Sequence, residues 1–207
     1  MYALVKDDNI EKIINNPKAM IIDDVQYPAK IFQLWSSSEL NAIGIYEVIT
    51  DTSNFKDEYY YINTNEQFDY SDNKVTRSWG NATPKRLEDE DAVDENGDPV
   101  LDEDGIKLIN YGLKTEKKRI VKQQASGLLA PTDWYVVKAT EVDDYSVPEN
   151  ITTFRAEVRA KSNEMETQID ACTTVEQLET LYTYVNTGTE ENPVIERPLA
   201  EFPKEVV

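Results

Sequence analysis

An α+β fold is predicted by three features of the sequence. Runs rich in Val, Ile and Tyr, punctuated by Asp, Asn and Ser, fill roughly the first 80 residues and read as short strands joined by turns. From Leu113 to Tyr182 the apolar residues instead recur at helical spacing. Between these regions, Glu88 to Gly105 contains ten acidic residues and no basic one. The predicted organisation is a strand-rich module over residues 1–83, an acidic hairpin arm over 84–110, a helical module over 111–187 and an extended tail over 188–207.

Tyr2 to Ile14 predicts a β-hairpin, because apolar-rich flanks bracket the turn formers Asp7, Asp8 and Asn9. An apolar stretch from Val25 to Trp35 then meets Ser36 and Glu39, whose spacing is that of a capping box, so a short helix is expected from about Ser37 to Gly44. Ile45 to Ile49 and Tyr59 to Ile62 predict further strands. In the acidic stretch, Val93-Asp94-Glu95-Asn96-Gly97 is echoed eight residues later by Leu101-Asp102-Glu103-Asp104-Gly105. Asn-Gly and Asp-Gly favour type I′ hairpin turns, so a small protruding meander is expected, irregular at Pro99. Lys114 to Leu129 predicts a helix with Leu113, Ile120, Val121, Leu128 and Leu129 on one side and five basic residues on another. Tyr135 to Val137 reads as extended. Pro148 suits the first turn of a second helix, which carries Ile151, Phe154, Val158, Met165 and Ile169 to Cys172. A third helix starts at Thr174, with Gln177 at capping-box spacing. Pro193, Pro198 and Pro203 predict an irregular tail from Gly188.

With 207 residues, 40% of them apolar, the chain is long enough for a modest core. Its formal net charge of −19, about half of it in the acidic stretch, repels phosphate backbones and anionic headgroups, so neither nucleic acid nor membrane is expected as a partner. No stretch approaches the ~20 apolar residues of a membrane span, and the start Met1-Tyr2-Ala3-Leu4-Val5-Lys6 lacks a signal pattern, so a cytoplasmic location is expected. A lone cysteine, Cys172, fits a reducing compartment. The absence of histidine removes Ser-His-Asp and Cys-His catalysis and zinc sites that need imidazole.

The remaining chemistry is thin. Asp94, Asn96 and Asp98 alternate as in an EF-hand loop, but Pro99 stands where that loop needs glycine and Gly105 where it needs glutamate, so a solvated hairpin is expected, with no metal or cofactor. Carboxylate-pair hydrolysis of sugars needs one acid in an apolar pocket, whereas these acids lie in solvated runs, so no enzyme is expected. Tyr59, Tyr60, Tyr61, Phe68, Tyr70 and Trp79 read as sheet packing before they read as a binding face. The basic side of the helix from Lys114 reads as intramolecular pairing or a solvated face.

Leu128-Leu129-Ala130-Pro131-Thr132-Asp133-Trp134, followed by Pro148 and then Phe154-Arg155-Ala156-Glu157-Val158-Arg159, resembles the bacteriophage tail assembly chaperone families. Tyr27-Pro28-Ala29 with Ile43-Gly44-Ile45-Tyr46 is similar to the leading module of tail-fibre-associated proteins, and together the motifs span about half the chain. The resemblance implies a non-enzymatic protein that binds a tail-fibre, tailspike or baseplate chain, in the host cytoplasm during assembly and in the virion tail afterwards. A transient chaperone and, more remotely, a cell-wall hydrolase are the alternatives, and homo-oligomerisation stays open. The expected anchors are Trp35, Trp134, Phe154, Arg155 and Arg159, with Trp134 clamped between two helices and Arg155 or Arg159, one turn apart, able to stack on its ring.

Overall fold

In the computed structural model, which describes residues 1–204, strands form a sheet in the N-terminal part and helices dominate the C-terminal part, an α+β fold. The chain divides into two units, Met1–Pro84 and Lys85–Val207.

In the first unit, β1 (Tyr2–Lys6) and β2 (Asn9–Ile14) form the expected hairpin. Asp7 and Asp8 both take positive φ, 49° and 60°, the type I′ geometry that short polar side chains tolerate. The same device, unforeseen in the sequence, makes two more hairpins. Asp23-Asp24 joins β3 (Met20–Ile22) to β4 (Val25–Tyr27), and Asp72-Asn73 joins β7 (Gln67–Ser71) to β8 (Lys74–Ser78), again with positive φ at both turn residues. Between these hairpins come α1 (Ile31–Leu34), α2 (Ser37–Asn41) and β5 (Ile45–Thr50). Ser36 and Glu39 cap α2 reciprocally, as their spacing predicts, and the chain then turns at Gly44. The expected strand at Tyr59 shrinks to β6 (Tyr61–Ile62), which pairs with β9 (Thr83–Pro84), because Tyr59 and Tyr60 lie in a turn closed by the Tyr60 and Tyr61 N–H groups on the Asp57 carbonyl.

The main sheet has the order β2-β1-β5-β8-β7, antiparallel except for β5 against β8. Alternation along β1 divides the core. Leu4 packs with Ile14, Ile31, Phe32, Leu40 and Ile45 on one face, while Ala3 packs with Val48 and Val75, flanked by Tyr46, Phe68 and Tyr70, on the other. The Tyr46 and Tyr70 hydroxyls lie 3.0 Å apart, and this bond, with burial behind it, pushes the Tyr70 phenol up to about 12. Tyr60 and Tyr61 are buried as well, in keeping with the packing role expected of these aromatics.

The second unit begins with the acidic arm, anchored by β10 (Glu90–Asp91) paired with β11 (Ile109–Asn110). Its eight-residue repeat closes on itself in a ring. The Ala92 N–H donates to the Leu108 carbonyl (2.8 Å), Leu108 to Val100 (2.9 Å) and Val100 to Ala92 (2.8 Å). Each repeat turns the same way: the Gly97 N–H donates to the Asp94 carbonyl and the Gly105 N–H to that of Asp102. Only the glycines are left-handed, at φ 87° and 77°. These are therefore type I turns closed by a left-handed glycine, not the type I′ turns that Asn-Gly and Asp-Gly suggested. The reason is the Asp side chain at the head of each turn. Asp94 accepts N–H bonds from Asn96 and Asp98, and Asp102 from Asp104 and Ile106, a bracing that leaves the residue before each glycine in ordinary backbone.

The arm leads into α3 (Leu113–Leu129). Its first N–H groups find partners in the irregular segment just before β10: Leu113 and Lys114 donate to the carbonyls of Arg86 and Leu87, and Gly112 to the Asp89 carboxylate. At Gly112 a Cβ would stand 2.4 Å from the Glu88 backbone, so the approach requires glycine. A 3-10 turn (Ala130–Thr132), α4 (Asp133–Glu141), α5 (Glu149–Ala171) and α6 (Val175–Tyr182) follow. The expected extended segment at Tyr135 to Val137 is helical. Asp133 sits in the first turn of α4, where a carboxylate favours helix, and the low propensity of two valines costs too little to prevent it. α5 lies antiparallel to α3, with Ile151, Phe154, Val158, Met165 and Ile169 buried as their spacing predicts. The basic side of α3 is paired internally: Lys114 with Glu88, Lys118 with Asp170, Lys122 with Glu166 and Arg119 with Glu116. Hydrogen bonding to Asp170 raises the Lys118 ammonium above its ordinary value. Thr174 caps α6 by accepting the Gln177 N–H, but the Gln177 side chain returns the bond to Thr173.

The tail from Gly188 has little regular structure, as its prolines dictate, yet it is not a free extension. β12 (Val185–Asn186) pairs with β13 (Ile195–Glu196). The Leu199 side chain is then buried at 2% exposure, with its N–H on the Leu181 carbonyl. Gln168 of α5 holds this strap with both ends of its amide, donating to the Pro198 carbonyl and accepting the Ala200 N–H. Phe202 packs against Ala125, Phe154 and Val158.

Candidate functional site

The segment from Leu129 to Asp133 and Arg155 of α5 fold into one corner of the second unit. Pro131, inside the 3-10 turn, interrupts the α3 hydrogen-bond ladder after Leu129, and the Thr132 hydroxyl folds back to donate to the Leu129 carbonyl (2.8 Å). Into this corner α5 sends Arg155, 8% exposed. Its guanidinium donates through Nη1 to the Leu129 carbonyl (3.0 Å) and the Thr132 hydroxyl (2.6 Å), and through Nη2 to the Asp133 carboxylate (2.8 Å). Three acceptors from consecutive structural pieces thus converge on one planar fork of donors, which suits arginine and not lysine.

This geometry corrects the expected stacking of Arg155 or Arg159 on Trp134. Arg155 spends its donors on oxygen acceptors, which bind a guanidinium more strongly than an indole face does. Arg159 is exposed and donates to the Arg155 carbonyl of its own helix (3.2 Å). Nor is Trp134 clamped between helices: it is 52% exposed, its ring 3.8 Å from that of Tyr135 between centroids, with the Lys138 ammonium 5.8 Å from the indole. Phe154 is buried against Ala125 and Val158 and serves the core. Trp35 belongs to the first unit, half-buried, edge-on to Tyr27 at 5.8 Å. Of the five expected anchors, the corner therefore gathers Arg155 with the approach to Trp134, while Phe154, Arg159 and Trp35 do other things.

The surface that results is α4 itself. None of its nine residues is buried, although four in succession are Trp, Tyr, Val and Val. Tyr135 and Ala139, one turn apart, are half-covered. Trp134 and Val137, three residues apart, share the outward side, and Val137 is also 52% exposed. Val136, on another side of the helix, and Val142, just beyond its end, are exposed as well. Beyond the helix, the Tyr145 N–H closes a turn on the Val142 carbonyl (3.3 Å), and Lys138 lies over the Tyr145 ring at 4.3 Å. A helix with exposed apolar side chains, Trp134 and Val137 on one side, fastened by a buried arginine, is the feature that sequence reasoning missed. Its signal was present: an unbroken apolar run wraps all sides of a helix, and a corner helix cannot cover them all.

The arm carboxylates of Asp94 and Asp102 brace turns, and hydrogen bonds from the Asp98 and Asn96 amides hold the Asp94 carboxyl below its ordinary range. Among the described residues no group of three Asp, Glu, Cys or His side chains is placed to hold a metal ion, and no helix is long and apolar enough to cross a membrane. A hollow of about 440 Å³ beside Gly44 in the first unit is lined by Lys6, Glu11, Asp23 and Tyr27, with Lys6 and Asp23 bridged at 2.7 Å and open to water. No protein-family model, curated protein or solved structure matches the chain.

Proposed function

We propose that this chain is a bacteriophage tail protein that makes and breaks no covalent bonds and binds a tail-fibre, tailspike or baseplate chain as an adaptor of the virion tail. One observation carries the reading: α4 turns Trp134 and Val137 to solvent on a helix whose start is fixed by Arg155. The residues of that corner, Thr132, Asp133 and Arg155, are those through which the sequence resembles tail assembly proteins, so the shared motif supports the presentation of the helix. Large aromatic side chains at such a surface supply most of the binding energy in protein interfaces.

One observation favours the second reading, a transient assembly chaperone. The tail, which would suit lasting contacts with neighbouring subunits, is instead spent on its own chain through Leu199 and Phe202. Mass spectrometry of purified virions separates the two, since an adaptor is present in stoichiometric amount and a chaperone is absent. The surface itself is tested by co-expression with the fibre chain. Trp134→Ala should reduce co-purification at least about tenfold, yet change unfolding free energy by less than about 1 kcal/mol, since the ring is half in water already. Undiminished co-purification would remove α4 from the interface.

A further inference from the structure

We infer that the segment docking on α4 is an apolar stretch of polypeptide flanked by Lys or Arg. The inference rests on the adaptor reading only in taking α4 as the partner's seat. Two properties of the surface specify the occupant. Trp134, Val137 and Val142 offer exposed apolar area at one side of the corner, which calls for apolar side chains opposite. The rim is acidic: Glu141 ends the helix and Asp143 and Asp144 follow in the turn, all three exposed and none in an ion pair among the described residues. They stand at the C-terminal end of α4, where the helix dipole adds negative potential. The only cation on the helix, Lys138, faces the rings of Trp134 and Tyr145, and the Asp133 carboxylate at the other end is held by Arg155.

These charges also decide between occupants. A second copy related by a two-fold axis would put two copies of the same acidic rim into one interface, between chains that each carry a net charge of −19. Nucleic acid and anionic membrane meet the same repulsion. A basic-flanked apolar segment gains from both the rim and the wider field, which accelerates its approach.

The test uses the full chain and two labelled amphipathic helical peptides of equal length and equal leucine face, one with lysine and one with glutamate on the polar side. Fluorescence anisotropy near physiological ionic strength should show saturable binding of the Leu-Lys peptide, at least about tenfold tighter than the Leu-Glu peptide. Trp134→Ser with Val137→Ser should abolish that binding while circular dichroism stays unchanged. Asp143→Lys with Asp144→Lys should narrow the preference between peptides severalfold. Glu95→Lys with Glu103→Lys, on the arm, should leave it intact. Three results overturn the inference: equal affinity for both peptides, binding that survives the Trp134/Val137 pair, or binding lost through the arm pair, which would mean attraction to net charge alone. A dimer in light scattering that the Trp134/Val137 pair converts to monomer would likewise overturn it, assigning α4 to a second copy. Failure with the peptides alongside intact co-purification with a fibre chain sinks the partner chemistry alone; the reverse result sinks the adaptor reading alone.

Discussion

Arg155 is buried, and the Leu129 carbonyl, the Thr132 hydroxyl and the Asp133 carboxylate all accept from it, the first two also bonded to each other. Arg155→Met keeps the length and apolar stem but leaves two of these acceptors in a desolvated corner. The expected loss is about 2–3 kcal/mol in urea unfolding, at the lower end for a broken buried pair because Asp133 remains largely in water. Arg155→Lys should recover less than half of it, since one ammonium cannot span a carbonyl on one side and a carboxylate on the other. A methionine variant as stable as the parent would mean that packing alone holds the corner. At this scale the sequence is informative about proximity and poor about pairing. The sequence offered Arg155 and Arg159 alike as partners of the Trp134 ring; which of them reaches this segment, and whether it takes the indole or the oxygens beside it, depends on which way the next helix turns. Phe154, on a regular apolar stripe, was legible outright.

Among elements, those written in local rules came through best. The β1–β2 hairpin, the Ser36 cap and the periodic helices α3, α5 and α6 each rest on contacts a few residues apart. α4 was misread because valine and tyrosine favour strands only when a sheet is there to receive them, and this corner offers none. The arm shows a subtler limit, since Asn-Gly specifies a tight turn but the aspartate three residues before the glycine chooses its type. That choice has a pH signature. The Asp94 carboxyl sits below its unfolded value of 3.8 because the Asp98 and Asn96 amides bond its charged form. Its contribution is therefore complete above that value and is lost as pH falls from there through the depressed native value. In an NMR titration the Asn96 and Asp98 amide resonances should move together on acidification below about pH 4, reporting the carboxylate that they bond. The same amides in Asp94→Asn should stay still; amides that shift equally in both proteins would refute the bracing role.

For the whole molecule, the tail is where sequence reading stopped short. Pro193 and Pro198 announce irregular backbone correctly, but nothing local indicates that such backbone will lie along a helix, where a glutamine amide 30 residues earlier in the chain than Pro198 helps to hold it. Leu199 of the strap is buried, with its N–H on Leu181 of α6, so Leu199→Ala should cost about 2–5 kcal/mol, the range for a buried leucine, and should speed hydrogen exchange in both α5 and α6. Exchange that quickens only in residues after Pro198 would show the strap to be an accessory. The arm, finally, sets rules for how this sequence can change over generations. A cycle through Ala92, Val100 and Leu108 has no spare member, so losing one eight-residue unit leaves two carbonyl-to-amide links seeking a third that no longer exists. Growth at the loop ends, between Glu95 and Asn96 or Glu103 and Asp104, gives up the aspartate bracing of that turn but spares the three links of the cycle, and each doubling of a flexible loop costs only about 0.6 kcal/mol. Those two tips are accordingly where a foreign epitope can be grafted while the cycle beneath it stays shut.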